Sequence, residues 1–281
     1  MHALRGGVAV VTGGAGTVAG LGQGLVRQFA RAGMRVAIID VDGDAAARLA
    51  RELQGEGVEA IACTADVTHE STLRNAVEQV RDGFGACNIL CAHVGGGGQG
   101  RFDTSTIAEW RSAMELMVVG TVATVQAFLP LMRETTGHRR IVLTSSAAAL
   151  APGRFQGPYR AAKAAVTSLG ETLDLELGPE GIGATIVFPS GMLVPELLEF
   201  MRTSDLAADG IDPVVRAIAE EMAPEPSDLA TGESAAEPVV DAVAAGLRYV
   251  VTHGVTVGRV ARARQDLLDQ ALAEAARRAQ A

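Results

Sequence analysis

Short apolar runs alternate with amphipathic stretches along most of this chain. Gly7 to Val11 is an apolar, β-branched run closing on Thr12. From Leu21 to Ala32 the apolar positions Leu21, Leu25, Val26 and Phe29 recur at helical spacing, and Gly33 stops the helix. Arg35 to Ile39 reads as a strand closing on Asp40, Asp44 to Gln54 as a helix, and Ala60 to Cys63 as a strand. Ser71 to Phe84 is helical, and Ile89 to Ala92 is a strand that enters the glycine run Gly95 to Gly98. The rhythm continues with a long helical stretch from Ile107 to Met132, a strand from Ile141 to Thr144 and a helix from Tyr159 to Leu177. Ile182 to Phe188 is a buried-looking strand ending at Pro189. Alternation of this kind predicts βαβ units, hence an α/β fold built on a parallel sheet.

The pattern loosens from Leu193 to Glu237, where prolines interrupt helical pieces, and that stretch is expected to form a substrate lid. Val239 to Leu247 predicts a helix, Tyr249 to Thr252 a last short strand, and Val260 to Ala281 a charged amphipathic helix. That helix is expected to pack on a neighbouring subunit or to cap the pocket. With no internal repeat and no linker, the 281 residues read as one domain with a C-terminal helical extension over 255–281.

Composition narrows the function classes. The 33 acidic and 24 basic residues leave a net charge of −9, which argues against nucleic acid or an anionic membrane as the main partner. The N-terminus lacks the apolar stretch of a signal peptide, so a cytoplasmic setting is expected. Cys63, Cys87 and Cys91 have no zinc or redox spacing, and no metal site is expected. One detail is more informative: Lys163 is the single lysine, every other basic side chain among the 24 being arginine. This chain uses lysine only where arginine will not serve.

Between the first strand and the first helix lies T-G-G-A-G-T-V-A-G-L-G, from Thr12 to Gly22. A glycine turn there lets backbone reach a dinucleotide pyrophosphate at a helix N-terminus. It parses either through Gly14, Gly16 and Ala19, or through Gly13, Gly20 and Gly22 with Leu21 beside them. Asp40 ends the second strand about 20 residues beyond, where a carboxylate accepts hydrogen bonds from an adenosine ribose and repels a 2′-phosphate, favouring NAD over NADP. The plain alternative makes Asp40 and Asp42 turn residues. Asp66 and Val67, after the third strand, fall where adenine contacts are expected, and Ala92 closes the fourth.

Tyr159 and Lys163 are four residues apart at the start of a predicted helix and share one face. A phenol with a pKa of about 10 is a poor acid–base group at neutral pH. An ammonium at roughly 4 Å contributes about 4 kcal/mol at an effective dielectric of 20, a shift of about three pKa units. Arginine, wider and delocalised, is not equivalent. Thirteen residues before Tyr159 stands Ser146, whose hydroxyl could hold the substrate oxygen; Ser145 is a second candidate.

In this order and spacing the residues resemble the short-chain dehydrogenase/reductase family, over Gly7 to about Leu193. The resemblance implies a Rossmann-type, doubly wound parallel sheet of about seven strands with helices on both faces. It implies hydride transfer between a nicotinamide and an alcohol or carbonyl, and frequent homodimers or homotetramers. Carried over, Tyr159 is the acid–base, Lys163 holds the nicotinamide ribose and tunes the phenol, and Ser146 orients the substrate. Four departures stand out. The glycine turn carries about three extra residues, and the family's N-N-A-G is Ala92, His93, Val94, Gly95. The helix asparagine that supports a proton relay is Met117, and P-G-x-V-x-T reads P-S-G-M-L-V from Pro189 to Val194. The ending Y-V-V-T-H-G followed by a long helix is similar to a subgroup with bacterial dehydrogenases of aromatic alcohols, which points to a bulky apolar secondary alcohol or ketone. A lyase or isomerase using Tyr159 for proton transfer stays open, as does a catalytically weak cofactor-binding protein. His93, His138 and His253 share no metal-ligand spacing and read as packed or surface residues, with His93 nearest the expected cofactor.

Overall fold

The apolar runs assemble into one parallel sheet. The structure, a computed structural model, describes residues 2–16, 20–96, 101–150, 153–192 and 229–279. In chain order the strands are β1 (Val8–Thr12), β2 (Arg35–Asp40), β3 (Ala60–Thr64), β4 (Ile89–Ala92), β5 (Arg139–Thr144), β6 (Ile182–Phe188), β7 (Gly191–Met192), β8 (Leu229–Ala230) and β9 (Tyr249–Val251). Seven of them pair all-parallel in the order β3-β2-β1-β4-β5-β6-β9, while β7 and β8 form a separate parallel pair. Strands buried on both faces need no alternation, and all five residues of β1 are buried.

The helices are α1 (Leu21–Arg31), α2 (Gly43–Gly55), α3 (Glu70–Phe84), α4 (Ile107–Met114), α5 (Gly120–Glu134), α6 (Ala147–Leu150), α7 (Gly157–Leu177), α8 (Gly232–Ala245) and α9 (Val255–Ala279). On one face Leu25 and Phe29 of α1, Leu49 of α2 and Val239 and Val243 of α8 form a single core. On the other face Val77 and Val80 of α3, Phe128 and Leu131 of α5 and Val166 of α7 form a second. Two covered faces make the sheet doubly wound, and the chain reverses its winding between β1 and β4, where such sheets place their ligands.

Several boundaries differ from the periodicity. The stretch from 107 to 134 is broken by a π-helical turn over Glu115–Val119 that contains Met117. By length and mean hydropathy of 1.6 this stretch could cross a membrane, yet Phe128, Leu131 and Met132 are fully buried against the sheet. Helix α7 begins two residues early because Pro158 suits a first helical turn. Helix α8 begins at Gly232, where the Thr231 hydroxyl accepts from the Ser234 N–H. Residues 229–230 form β8 and 232–237 belong to a core helix, while 193–228 of the expected lid lie outside the described residues. Cys63, Cys87 and Cys91 are free and buried.

Candidate functional site

The C-terminal ends of β1, β4 and β5 converge below the glycine turn and are stitched together by side chains. The Thr12 hydroxyl donates to the Cys91 carbonyl at 3.2 Å and accepts from the His93 N–H at 3.0 Å. The His93 Nδ1 lies 3.0 Å from the Thr144 hydroxyl. Burial, and next the Lys163 charge, pull the imidazole down to about 3, so the ring is neutral. His93, the histidine expected nearest the cofactor, thus joins the ends of β1, β4 and β5.

Above this floor the turn needs glycine for contact as much as for conformation. Gly13 has φ of 62°, and a Cβ there would meet the His93 carbonyl at 2.2 Å. A Cβ on Gly22 would meet the Gly13 carbonyl at 2.1 Å, and Gly20 is the N-cap of α1. Gly14, of the other parse, is also tight, since a Cβ there would meet the Val11 carbonyl at 2.9 Å; Ala19 lies outside the described residues. Leu21 is buried in the first turn of α1, a helix start with neither a side-chain cap nor an acidic residue. The N–H groups of a helix start suit an anion.

Asp40 is 7% exposed at the end of β2. One carboxylate oxygen accepts from the Ala15 N–H at 2.9 Å and the other from the Asp42 N–H at 3.1 Å. Each oxygen keeps a further lone-pair site, so holding the turn does not exhaust the carboxylate. Asp42 caps α2 through the Ala45 N–H. Asp66 takes both the N–H and the hydroxyl of Thr68, bonds that hold its carboxyl below the usual range. Val67 is buried against the start of α5, where a Cβ on Gly120 would meet its methyl at 2.7 Å. Ala92, at the end of β4, is buried as well.

The structure brings Ser146, Tyr159 and Lys163 together. The Ser146 hydroxyl acts on the Tyr159 phenol, lowering its pKa, and its Oγ accepts from the Ala148 N–H at 3.1 Å. Ser145 turns the other way, donating to the Lys163 carbonyl at 2.8 Å and meeting the Thr167 hydroxyl at 2.7 Å. Of the two serine candidates, Ser145 anchors α7 and Ser146 faces the phenol. Lys163 is 3% exposed and donates to the carbonyls of Thr144 at 2.8 Å and Val94 at 3.1 Å. An ammonium has three donors, so one stays available.

The electrostatics differ from the expectation of a phenol poised by a lysine at roughly 4 Å. Lys163 Nζ is 5.9 Å from the Tyr159 ring centre. Burial raises the Tyr159 pKa, opposed by the Ser146 hydrogen bond and the Arg160 charge, and burial lowers Lys163 to about 8. Removal from water is the leading influence on both groups.

The departures also find places. A Cβ on Gly95 would come within 3.0 Å of Lys163 Nζ and 3.6 Å of the Met117 sulfur, so glycine leaves room for the lysine and a thioether stands beside it. The Met117 carbonyl is taken by the Thr121 hydroxyl at 2.7 Å. His138 and His253 each hydrogen-bond a backbone carbonyl, those of Val243 and Gly191.

Comparison with known proteins agrees with this geometry. The family described as short chain dehydrogenase matches residues 7–204. The 7α-hydroxysteroid dehydrogenase of Escherichia coli is 32% identical over 194 residues, covering 69% of this chain and 74% of that protein. A short chain dehydrogenase/reductase of Burkholderia phymatum, solved in complex with NAD, is 25% identical with a TM-score of 0.80, covering 96% of this chain and 97% of the other. LigD of Sphingobium sp. strain SYK-6 shares the fold, with 22% identity, a TM-score of 0.75 and coverage of 95% and 97%.

Proposed function

Because the chain belongs to the short-chain dehydrogenase/reductase family, we propose that it is an NAD-dependent oxidoreductase acting on a bulky, apolar secondary alcohol or the matching ketone. The observation that carries this reading is the convergence of Ser146, Tyr159 and Lys163 at the C-terminal edge of the sheet, beside an uncapped helix start. Gly13, Gly20, Leu21 and Gly22 offer backbone to the pyrophosphate. Asp40 takes the adenosine ribose hydroxyls with its remaining lone pairs, and Asp66 and Val67 flank the adenine. Ala92, Tyr159 and Lys163 border the nicotinamide riboside. The bound nicotinamide supplies or takes up the hydride.

The chain's own groups handle the proton. In reduction the Tyr159 phenol, kept protonated by burial, donates its proton to the carbonyl oxygen while the Ser146 hydroxyl holds the same oxygen. In oxidation the phenolate accepts the alcohol proton, and the Lys163 ammonium stabilises that anion. A bulky substrate is supported by the hydroxysteroid dehydrogenase among the relatives, and NAD by the Burkholderia phymatum complex together with the carboxylate at Asp40. We read the protein as one cytoplasmic domain whose exposed Val119 and Leu175 favour a homodimer or homotetramer. A second reading, proton transfer by Tyr159 without redox change, draws on Met117 standing where the family has its relay asparagine.

Calorimetric titration with NADH and with NADPH tests the first claim, with at least tenfold tighter NADH as the expected result. Absorbance at 340 nm with NAD and 1-phenylethanol or a 7α-hydroxysteroid separates the two readings. Turnover by Tyr159→Phe at the wild-type rate would remove Tyr159 from either.

A further inference from the structure

The chain beyond β9 reaches back to two loops of the site. His253 Nε2 lies 2.8 Å from the Gly191 carbonyl oxygen, and its Nδ1 lies 2.7 Å from the Thr252 hydroxyl. A carbonyl only accepts, so Nε2 carries the proton that joins His253 to Gly191. Gly191 opens β7, two residues after Pro189, whose carbonyl takes the Ala147 N–H at 2.9 Å. The segment after β6 and the start of α6 are thus tied to each other, and His253 holds that pair from outside.

Arg264 on α9 holds the same pair from the opposite end. Its Nη1 donates to the Ala149 carbonyl at 3.0 Å and reaches the Leu150 carbonyl at 3.5 Å. These are the last carbonyls of α6, which lack helical partners and attract a cation. Arg160, next to Tyr159, takes the Ala148 carbonyl at 3.3 Å. Helix α6 starts one residue after Ser146, and its first turn supplies the Ala148 N–H that holds the Ser146 hydroxyl. A shift of these carbonyls therefore moves the serine.

We propose that the C-terminal extension braces the site, with His253 and Arg264 as positioning residues that act through the backbone of the segment after β6 and of the Ser146 loop. The proposal rests on the reading of Ser146 and Tyr159 as the groups that meet the substrate. An extension that merely decorated the surface would leave both loops, and turnover, as they are.

The test compares wild type with Arg264→Met, Arg264→Lys, His253→Phe and His253→Gln. Three quantities are read: NADH affinity by calorimetry, kcat and KM with 1-phenylethanol or a 7α-hydroxysteroid, and backbone hydrogen exchange. Arg264→Met keeps the apolar stem and removes the donors. It should lower kcat/KM roughly tenfold, the scale of one charge-assisted hydrogen bond, and speed exchange over residues 147–150 with NADH affinity unchanged. Lysine at 264 restores a donor and should recover most of the loss. His253→Phe should speed exchange over 186–192 and weaken NADH binding about fivefold, with glutamine recovering part, as one neutral hydrogen bond would. Wild-type kinetics in both Arg264→Met and His253→Phe would overturn the proposal, whether or not exchange changes. If wild type itself transfers no hydride, the proposed function fails instead, and unchanged exchange over both loops would still overturn the brace.

Discussion

Lowering the pH should destabilise this protein through His93 in particular. Burial and then the Lys163 charge take its imidazole from 6.5 down to about 3 in the folded chain. The unfolded chain titrates it near 6.5, so between pH 6.5 and about 3 the unfolded state binds a proton that the folded state refuses. The stabilising contribution is complete above pH 6.5 and is lost as the pH falls toward 3. Each pH unit inside that window costs about 1.4 kcal/mol, so at about pH 4.5 the loss reaches about 3 kcal/mol. Against a typical total of about 5–15 kcal/mol, that is a large share. His93→Asn keeps a hydrogen-bonding group facing Thr144 and removes the titration. Urea unfolding of both proteins at about pH 7 and about pH 4.5 gives the comparison, because carboxylates contribute to both and cancel. Wild type should lose about 3 kcal/mol more than the variant between the two conditions. Equal losses would mean that the folded protein protonates His93 freely, and the buried, neutral ring beneath the turn would be wrong. His93→Gln repeats the comparison with a longer amide.

The remaining expectations are shorter. Gly22→Ala places a Cβ 2.1 Å from the Gly13 carbonyl, a backbone atom that cannot swing aside, so NADH affinity by calorimetry should fall more than tenfold. The two serines should separate cleanly. Ser146→Ala should lower kcat about 10- to 100-fold and cost only about 1 kcal/mol of stability, through the one Ala148 N–H bond it loses. Ser145→Ala should instead act on stability, costing about 1–3 kcal/mol in urea unfolding, because the two hydrogen bonds that tie the end of β5 to α7 are lost while Lys163 and Thr167 keep only each other. Lys163→Arg should abolish turnover. The converse Arg140→Lys should cost about 1–3 kcal/mol of stability while NADH affinity stays at the wild-type value.

The sheet was legible because strands buried on both faces are continuous apolar runs, and each helix between them carries one apolar stripe. Tyr159, Lys163 and Ser146 were legible because helical spacing and the position after a strand are local properties. What escaped was tertiary. Which serine faces the phenol depends on the partners of Ser145 across on α7. The role of His93 depends on Thr12 and Thr144, residues 81 and 51 positions away. The start of α8 was hidden because Pro238 sits inside the helix, where proline normally signals its end. The phenol's raised pKa was missed because spacing reports distance along a helix, while burial decides how much charge the site tolerates. Nothing in the sequence of the extension marked Arg264 apart from its fellow arginines; its partners are carbonyls, which every residue carries.

The solitary lysine can be explained by comparing it with the buried arginine of this fold. Arg140 is 7% exposed and spreads its guanidinium over the Thr185 hydroxyl at 2.8 Å, the Leu247 carbonyl at 3.0 Å and the Ala184 carbonyl. It joins β5, β6 and the turn before β9, a task that suits a planar fork with donors in several directions. Lys163 Nζ sits close enough to Gly95 that a Cβ there would lie 3.0 Å away, and its acceptors follow the ends of β4 and β5. A compact ammonium fits that space and keeps a third donor for a ligand, whereas a guanidinium would displace Gly95 and the Thr144 carbonyl. The ammonium also loses its proton within reach of neutral pH when buried, as the fall to about 8 shows, and a guanidinium does not. A site that holds a compact cation beside a ligand therefore suits lysine, while Arg140 shows arginine serving a purely structural task.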